Sequence, residues 1–272
     1  MKKIVITGGL GYIGTELCKI YSGYSWNDKI MIIDNRFISE RVNQIRNWNM
    51  EFVQGDILDK EFVEKHCSDA DIVHHLAGIT DVPRVKSESS DKHDKKIKEV
   101  AEVGTQNILD VIKGDCKIIM PSSHVVYEGI EKVKNDIEED EITSPVLSYG
   151  KSKDYNEKQL KSSGKNYIIL RLGSVYGYST DTARIDIMAN FFSKVSSQNG
   201  TLNLFAGGRQ VKSLVPLIDV ARCFKFMEQR DDIKSEVFNL TKDTVTVKEV
   251  AEICKKINPR IKLKETNDEV PN

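Results

Sequence analysis

The chain has 272 residues, 40 of them basic and 41 acidic, for a formal net charge of −1 at pH 7. That balance removes the electrostatic case for nucleic acid or an anionic membrane surface as the main partner, and no apolar run reaches the roughly 18 residues of a membrane span. The five cysteines, at 18, 67, 116, 223 and 254, form no CxxC pair and no ligand cluster, so no metal is expected and the thiols read as reduced.

The chain opens directly on an apolar strand rather than on a charged segment followed by an apolar stretch, which makes the cytoplasm the expected compartment. That first strand is predicted over 3–7, where the residues are apolar and β-branched, and Gly8, Gly9, Gly11 and Gly14 break it ahead of a helix over 12–21. Gly8 permits the tight turn, Gly11 lets the backbone approach a pyrophosphate, and Gly14 lets the helix pack closely on the strand. The helix start, through Tyr12 and Ile13, supplies N–H donors and partial positive charge. A bare Gly9-x-Gly11-x-x-Gly14 spacing also serves ordinary turns, so the second strand carries much of the weight. It runs over 29–34 as KIMIID and ends in Asp34, about twenty residues beyond the glycines, where a carboxylate accepts hydrogen bonds from an adenosine ribose and repels a 2′-phosphate. NAD is therefore preferred to NADP, although Arg36, two residues on, is a cation able to relieve that repulsion.

Further strands are predicted over 51–54, 71–76, 116–121 and 167–172, and further helices over 59–66, 95–112 and 149–163. The charge-dense run 87–99 reads as a solvated loop running into the third of these four helices. Such alternation specifies an α/β fold, a Rossmann-like doubly wound parallel sheet, whose reversal of strand order brings the C-terminal ends of strands one and four together. Gly8–Gly14 and His75–Gly78 then face one site. After about Tyr176 the alternation weakens into a polar loop over 178–186, a helix over 186–197, a turn region over 200–208 and a strand over 212–217. The expected organisation is a dinucleotide-binding part over 1–176 and a smaller, mainly substrate-binding lobe over 177–272, some segments of which return to the main sheet.

Two features suit catalysis. Tyr149 and Lys153, four apart at the start of a helix, stack a phenol and an ammonium on one face, a general-base pair once the phenolate is stabilised. The strand before Pro121 ends in Ser122 and Ser123 on the ligand side of the sheet, where a hydroxyl can hold a substrate alcohol.

TGGLGYIG at 7–14, GDI at 55–57, HLAG at 75–78, SSHVVY at 122–127, YGKSK at 149–153 and RLGSVYG at 171–177 together resemble the extended short-chain dehydrogenase/reductases, particularly NAD-dependent nucleotide-sugar epimerases and dehydratases. FNLTKDTVTVKEVAE at 238–252 resembles that family's C-terminal strand and helix. The resemblance implies a tightly held NAD, with Tyr149 as base, Lys153 on the nicotinamide ribose and Ser123 on the reacting hydroxyl. It implies that Asn35 contacts the cofactor beside Asp34, that Asp56 and Ile57 contact the adenine, and that Leu76, Ala77 and Gly78 line the cofactor's far side. Thr80 falls at the edge of the sugar pocket, and GGRQVKSLVPLID at 207–219 resembles a segment whose basic residue, here Lys212, grips the sugar-nucleotide pyrophosphate. A homodimer through the tyrosine-bearing helix is also implied.

Relatives that eliminate water or carboxylate carry acidic residues just after the position of Ser123; this chain has His124 and Val125 there. Valine cannot move a proton, and His124 reads as a satisfied polar group. The expected activity is therefore epimerisation of a nucleotide sugar, a UDP-hexose at C4 through a transient 4-keto intermediate. A 4,6-dehydratase, a keto-sugar reductase and a non-catalytic NAD-binding regulator are the alternatives.

Overall fold

The computed structural model describes residues 1–23, 27–80, 91–131, 134–179 and 184–267. Seven strands form the main sheet: β1 (Lys3–Thr7), β2 (Lys29–Asp34), β3 (Glu51–Gln54), β4 (Ile72–His75), β5 (Lys117–Ser123), β6 (Asn166–Leu172) and β10 (Glu236–Leu240). Their order is β10-β6-β5-β4-β1-β2-β3 and every pairing is parallel. Helices cover both faces, which is why β1, β2, β4 and β5 are almost wholly buried runs without polar alternation.

Successive side chains on a strand point to opposite faces, and the core divides accordingly. Ile4 and Ile6 pack with Leu17 and Tyr21 of α1 (Tyr12–Ser22) and Phe224 of α7 (Leu217–Glu228). Val5 on the other face packs with Val63 of α3 (Lys60–Cys67), Ile108 of α4 (Asp91–Val111) and Leu160 of α5 (Ser148–Ser162). A further helix, α2 (Ser39–Asn47), leads into β3. Among the described residues no helix is long and apolar enough to cross a membrane.

The remaining strands build two small sheets. β7 (Ser174–Tyr176), β9 (Val211–Pro216) and β11 (Asp243–Thr246) form one, in the order β11-β9-β7. β8 (Thr201–Phe205) and β12 (Lys262–Thr266) pair in parallel as the other. Leu202 and Leu204 of β8 join Phe192 of α6 (Met188–Ser197) and Ala251 of α8 (Val247–Ile257) in a separate small core. α8 starts on a capping box: Glu249 N–H donates to Thr246 Oγ1 at 3.2 Å and Thr246 N–H to the Glu249 carboxylate at 2.6 Å.

Three expectations need correction. Within the stretch 200–208, Thr201–Phe205 are a strand, β8, because its buried–exposed alternation finds a partner some sixty residues later in β12, and only Ala206–Gly208 form a short 3₁₀ turn. The charge run at 87–99 is already helical from Asp91, with 87–90 outside the described residues. The segment at 238–252 holds two strands ahead of its helix, and the first, β10, extends the main sheet beside β6.

Candidate functional site

β1 and β4 are hydrogen-bonded neighbours at the point where strand order reverses, so the loops that follow them open into one crevice. After β1 the chain turns at Gly8, whose φ of +69° favours glycine and whose absent Cβ would lie 2.7 Å from Ala77 N. Gly8 N–H donates to Ile33 O at 2.7 Å and Gly11 N–H to Gly8 O at 3.0 Å. A Cβ on Gly14 would stand 2.6 Å from Gly8 O, so α1 meets the turn backbone to backbone. α1 begins at Gly11 without a side-chain cap, and its first N–H groups, Tyr12 and Ile13 among them, lack intrahelical partners. An uncapped helix start behind a glycine turn fits a pyrophosphate.

At the end of β2, Asp34 Oδ2 accepts the Leu10 N–H at 3.0 Å, and Oδ1 accepts the Arg36 N–H and Nε, both at 3.1 Å. Asn35 Nδ2 donates to Asp56 Oδ2 at 3.2 Å, while Asp56 Oδ1 accepts the Leu58 N–H at 3.0 Å. Asn107 of α4 fixes that loop by donating to Ile57 O at 2.9 Å, and Gly104 leaves room for the Ile57 side chain.

Beneath the crevice runs a buried polar chain. Thr7 Oγ1 meets His75 Nδ1 at 2.9 Å, His75 Nε2 meets Thr105 Oγ1 at 3.0 Å, and Asn156 Nδ2 of α5 donates to Thr105 Oγ1 at 3.1 Å. Burial, aided by the Lys153 charge, lowers His75 to about 3, so it is a neutral link at physiological pH. The chain ties β1 and β4 to the helix that carries Tyr149 and Lys153.

Lys153 Nζ donates to Pro121 O at 3.0 Å and lies 5.7 Å from the Tyr149 ring centroid. Burial pulls Lys153 down to about 8, opposed by the Glu157 carboxylate, and pushes Tyr149 up to about 12, opposed by the Arg184 guanidinium. β5 then delivers its two serines to different tasks. Ser122 Oγ donates to Glu157 at 2.6 Å, whereas Ser123 accepts the Val125 N–H at 3.4 Å and starts the short 3₁₀ turn His124–Tyr127. His124 is brought down to about 4 by burial and the nearby Lys212 charge, and its Nε2 lies 3.4 Å from Ser174 Oγ.

These elements enclose one cleft of about 810 Å³. Gly8, Gly11, Tyr12, Ile13, Gly14, Asp34, Asn35, Asp56 and Ile57 line one end; Leu76, Ala77, Gly78, Thr80, Ser123, Tyr149 and Lys153 line the rest. Lys212 does not line it. It sits half-buried on β9, in register with Val245, where its charge bears on His124 and Glu128 instead. The sequence reading missed Arg184, which lines the cleft, donates to Thr80 O at 3.0 Å and pairs with Asp186. It also missed Arg41, which lines the cleft from α2 and donates to Leu10 O. Both lie outside any strand-end or glycine-turn motif, so sequence spacing carries no signal for them.

Comparison with known proteins agrees with this geometry. A family model described as the NAD dependent epimerase/dehydratase family matches residues 4–241. A dTDP-D-glucose 4,6-dehydratase of Dictyostelium discoideum is 26% identical over 264 residues, covering 89% of this chain and 59% of that protein. A UDP-glucose 4-epimerase of Neisseria meningitidis serogroup C is 31% identical over 183 residues, covering 61% of this chain and 49% of that protein. The chain thus spans about half to three fifths of the length of these two relatives. The fold matches that of a UDP-glucuronic acid 4-epimerase from Bacillus cereus solved with UDP-glucuronic acid and NAD, at TM-score 0.81 and 23% identity over 99% of this chain and 88% of the other. With the family model spanning most of the sheet and every loop of the cleft, the chain belongs to the NAD dependent epimerase/dehydratase family.

Proposed function

We propose that the chain is an epimerase acting on a nucleotide sugar, a UDP-hexose at C4 through a transient 4-keto sugar. In this reading the glycine turn and the start of α1 hold the pyrophosphate, Asp34, Asn35, Asp56 and Ile57 the adenosine, and Leu76–Gly78 the far side of the cofactor. When bound, NAD would take up and return the C4 hydride. Ser123 holds the C4 hydroxyl, Tyr149 takes its proton, and the Lys153 ammonium stabilises the phenolate and holds the nicotinamide ribose. A phenol near 12 is ionised in only about one molecule in 10⁵ at pH 7, so the base becomes competent only when positive charge gathers around it. Thr80 and Arg184 lie at the sugar end, and Lys212 acts through His124 and Glu128 or reaches the pyrophosphate once substrate is bound.

The observation that carries the choice of reaction is the pair after Ser123. Elimination of water from the sugar needs a protonated acid and a second base there. The Val125 side chain has neither an acidic proton nor a lone pair, and His124, lowered to about 4, is unprotonated at neutral pH. Epimerisation needs no further group.

Incubation of the full chain with NAD and UDP-glucose or UDP-galactose, followed by proton NMR, tests this: interconversion of the C4 isomers is expected. Accumulation of a 4-keto-6-deoxy sugar would replace the reading with a dehydratase. The expected homodimer through α5 belongs to the same proposal; Val103 on α4 and Tyr155 on α5 remain 47% and 44% exposed, and sedimentation velocity measures the assembly.

A further inference from the structure

Where the glycine turn meets the lobe, three hydrogen bonds close a ring. Tyr12 Oη donates to Gly177 O at 2.6 Å, Gly177 N–H donates to Asn190 Oδ1 at 3.0 Å, and Asn190 Nδ2 donates back to the Tyr12 hydroxyl at 3.2 Å. The other Nδ2 hydrogen goes to Arg184 O at 2.8 Å. The Gly177 donor and the Arg184 acceptor together fix which way the amide points, and both of its hydrogens are then used. Burial raises the Tyr12 phenol above its ordinary value, so it keeps the proton it gives to Gly177. The ring joins elements far apart in sequence. Tyr12 opens α1; Gly177 follows β7, from which Ser174 and Val175 line the cleft; Asn190 lies in the first turn of α6; and Arg184 lines the cleft beside Asp186. Asn190 itself is not among the residues that line the cleft, so its amide holds the walls rather than a ligand.

We propose that Asn190 is a positioning residue: through Tyr12 and Gly177 it sets where the glycine turn stands against the Arg184 loop, and so where the dinucleotide stands against the sugar. Transfer between two bound molecules tolerates little misplacement, and a shift of about 1 Å costs about 10²-fold in rate. An amide that meets neither ligand thereby controls turnover.

This role rests on the cleft holding NAD and a nucleotide sugar. To test it, NAD⁺ is titrated calorimetrically into the full chain in the presence of excess UDP, for wild type, Asn190→Leu, Tyr12→Phe and the double variant, and turnover of UDP-glucose is followed on the same preparations. Asn190→Leu keeps the volume and removes every hydrogen bond of the amide. Tyr12→Phe deletes one oxygen and leaves Asn190 bonded to Gly177 and Arg184, so it carries the test where the first variant fails to fold. Each single change is expected to weaken NAD⁺ by about fivefold and to lower kcat by about tenfold or more, with KM for the sugar within about threefold of wild type. Because the two side chains act as one ring, the double variant is expected to bind NAD⁺ no more than about twofold below the weaker single variant. A merely structural role in the lobe would leave NAD⁺ affinity within about twofold of wild type in either folded variant; that result, a loss confined to KM, or losses that multiply in the double variant overturns the assignment. Failure of wild type to bind NAD⁺ overturns it together with the dinucleotide reading. The expected affinity pattern with no sugar isomer formed by wild type sinks only the epimerase reading.

Discussion

Arg171 of β6 and Glu157 of α5 form an ion pair in which each side chain is only 2% exposed, with Nη2 and Nε donating to the carboxylate at 2.7 and 3.0 Å. The pair joins three elements at the level of the cleft floor. Ser122 of β5 donates to the same carboxylate, and Arg171 Nη1 continues to Glu139 O at 2.8 Å and to the Tyr127 hydroxyl. Glu157 lies one helical turn beyond Lys153, so the helix bearing the proposed base pair is bolted to β6 by a charge contact shielded from water and to the strand bearing Ser123 by the Ser122 hydroxyl. Breaking one partner of such a pair leaves the other buried and uncompensated. Glu157→Gln, which keeps the volume, is expected to lower stability by about 3–5 kcal/mol in urea unfolding. A loss below about 1 kcal/mol would mean that the pair does not fasten the helix.

The tyrosine assignment makes a separable prediction. Tyr149→Phe keeps the ring and removes the oxygen, so turnover is expected to fall by about 10²–10⁴-fold while dinucleotide affinity, read by calorimetry, stays within about threefold. Equal activity in the variant would remove Tyr149 as the base. The affinity measurement guards against a collapsed site.

In the proposed mechanism Lys153 sets the alkaline side of the pH profile. Its ammonium is the useful form; burial lowers it to about 8, so the charged form dominates below pH 8 and is lost as pH rises through that value. The ratio kcat/KM is expected to decline above about pH 8. Because the Glu157 carboxylate props the ammonium up, Glu157→Gln is expected to move that limb to lower pH, a displacement that loosened packing alone does not produce.

Much of this site was legible because chemistry in a doubly wound sheet concentrates where strands end. Gly8, Asp34, Gly78 and Ser123 each follow or close a buried apolar run, and such runs are visible without a structure. Tyr149 and Lys153 were legible for a different reason: their four-residue spacing faces one side of a helix whatever that helix packs on. Lys212 fails both criteria. A strand residue faces one of two sides, and the small β11-β9-β7 sheet belongs to no alternating pattern that tells which side meets the cleft. Arg184 sits in a loop where direction depends on contacts with Thr80 and Asp186, more than a hundred residues and two residues away, respectively. The strand at 201–205 was hidden because its partner, β12, lies so far along the chain that its own Gly200 and Gly208 dominated the local signal. Arg36 was visible as a cation near Asp34, but its occupation of both carboxylate oxygens is a matter of side-chain geometry.

His75 predicts an acid sensitivity. Its folded form is lowered to about 3, below the ordinary imidazole value, so between these values the unfolded chain binds a proton that the folded one does not. Stability from this residue is complete above about pH 6.5 and is lost as pH falls, by about 2 kcal/mol at pH 5. His75→Asn, with the imidazole removed, is expected to show a shallower fall in urea-unfolding free energy from pH 7 to pH 5 than wild type, by about that amount. Identical slopes would place the acid sensitivity in other groups.

Gly14 offers the most direct test of how the cofactor turn works. A methyl group there would lie 2.6 Å from both Gly8 O and Gly9 Cα, and both are backbone atoms that cannot rotate away. The only relief is for α1 to back off from the turn, which carries its uncapped N–H groups away from the position of the pyrophosphate. Since α1 also packs Leu17 and Tyr21 into the core, the movement meets resistance and the binding end gives way first. Gly14→Ala is therefore expected to cost about 1–3 kcal/mol of stability and to weaken NAD⁺ binding by tenfold or more, measured by unfolding and calorimetry on the same preparation. Unchanged affinity in a variant that has lost that stability would show that the N-terminus of α1 does not hold the phosphates.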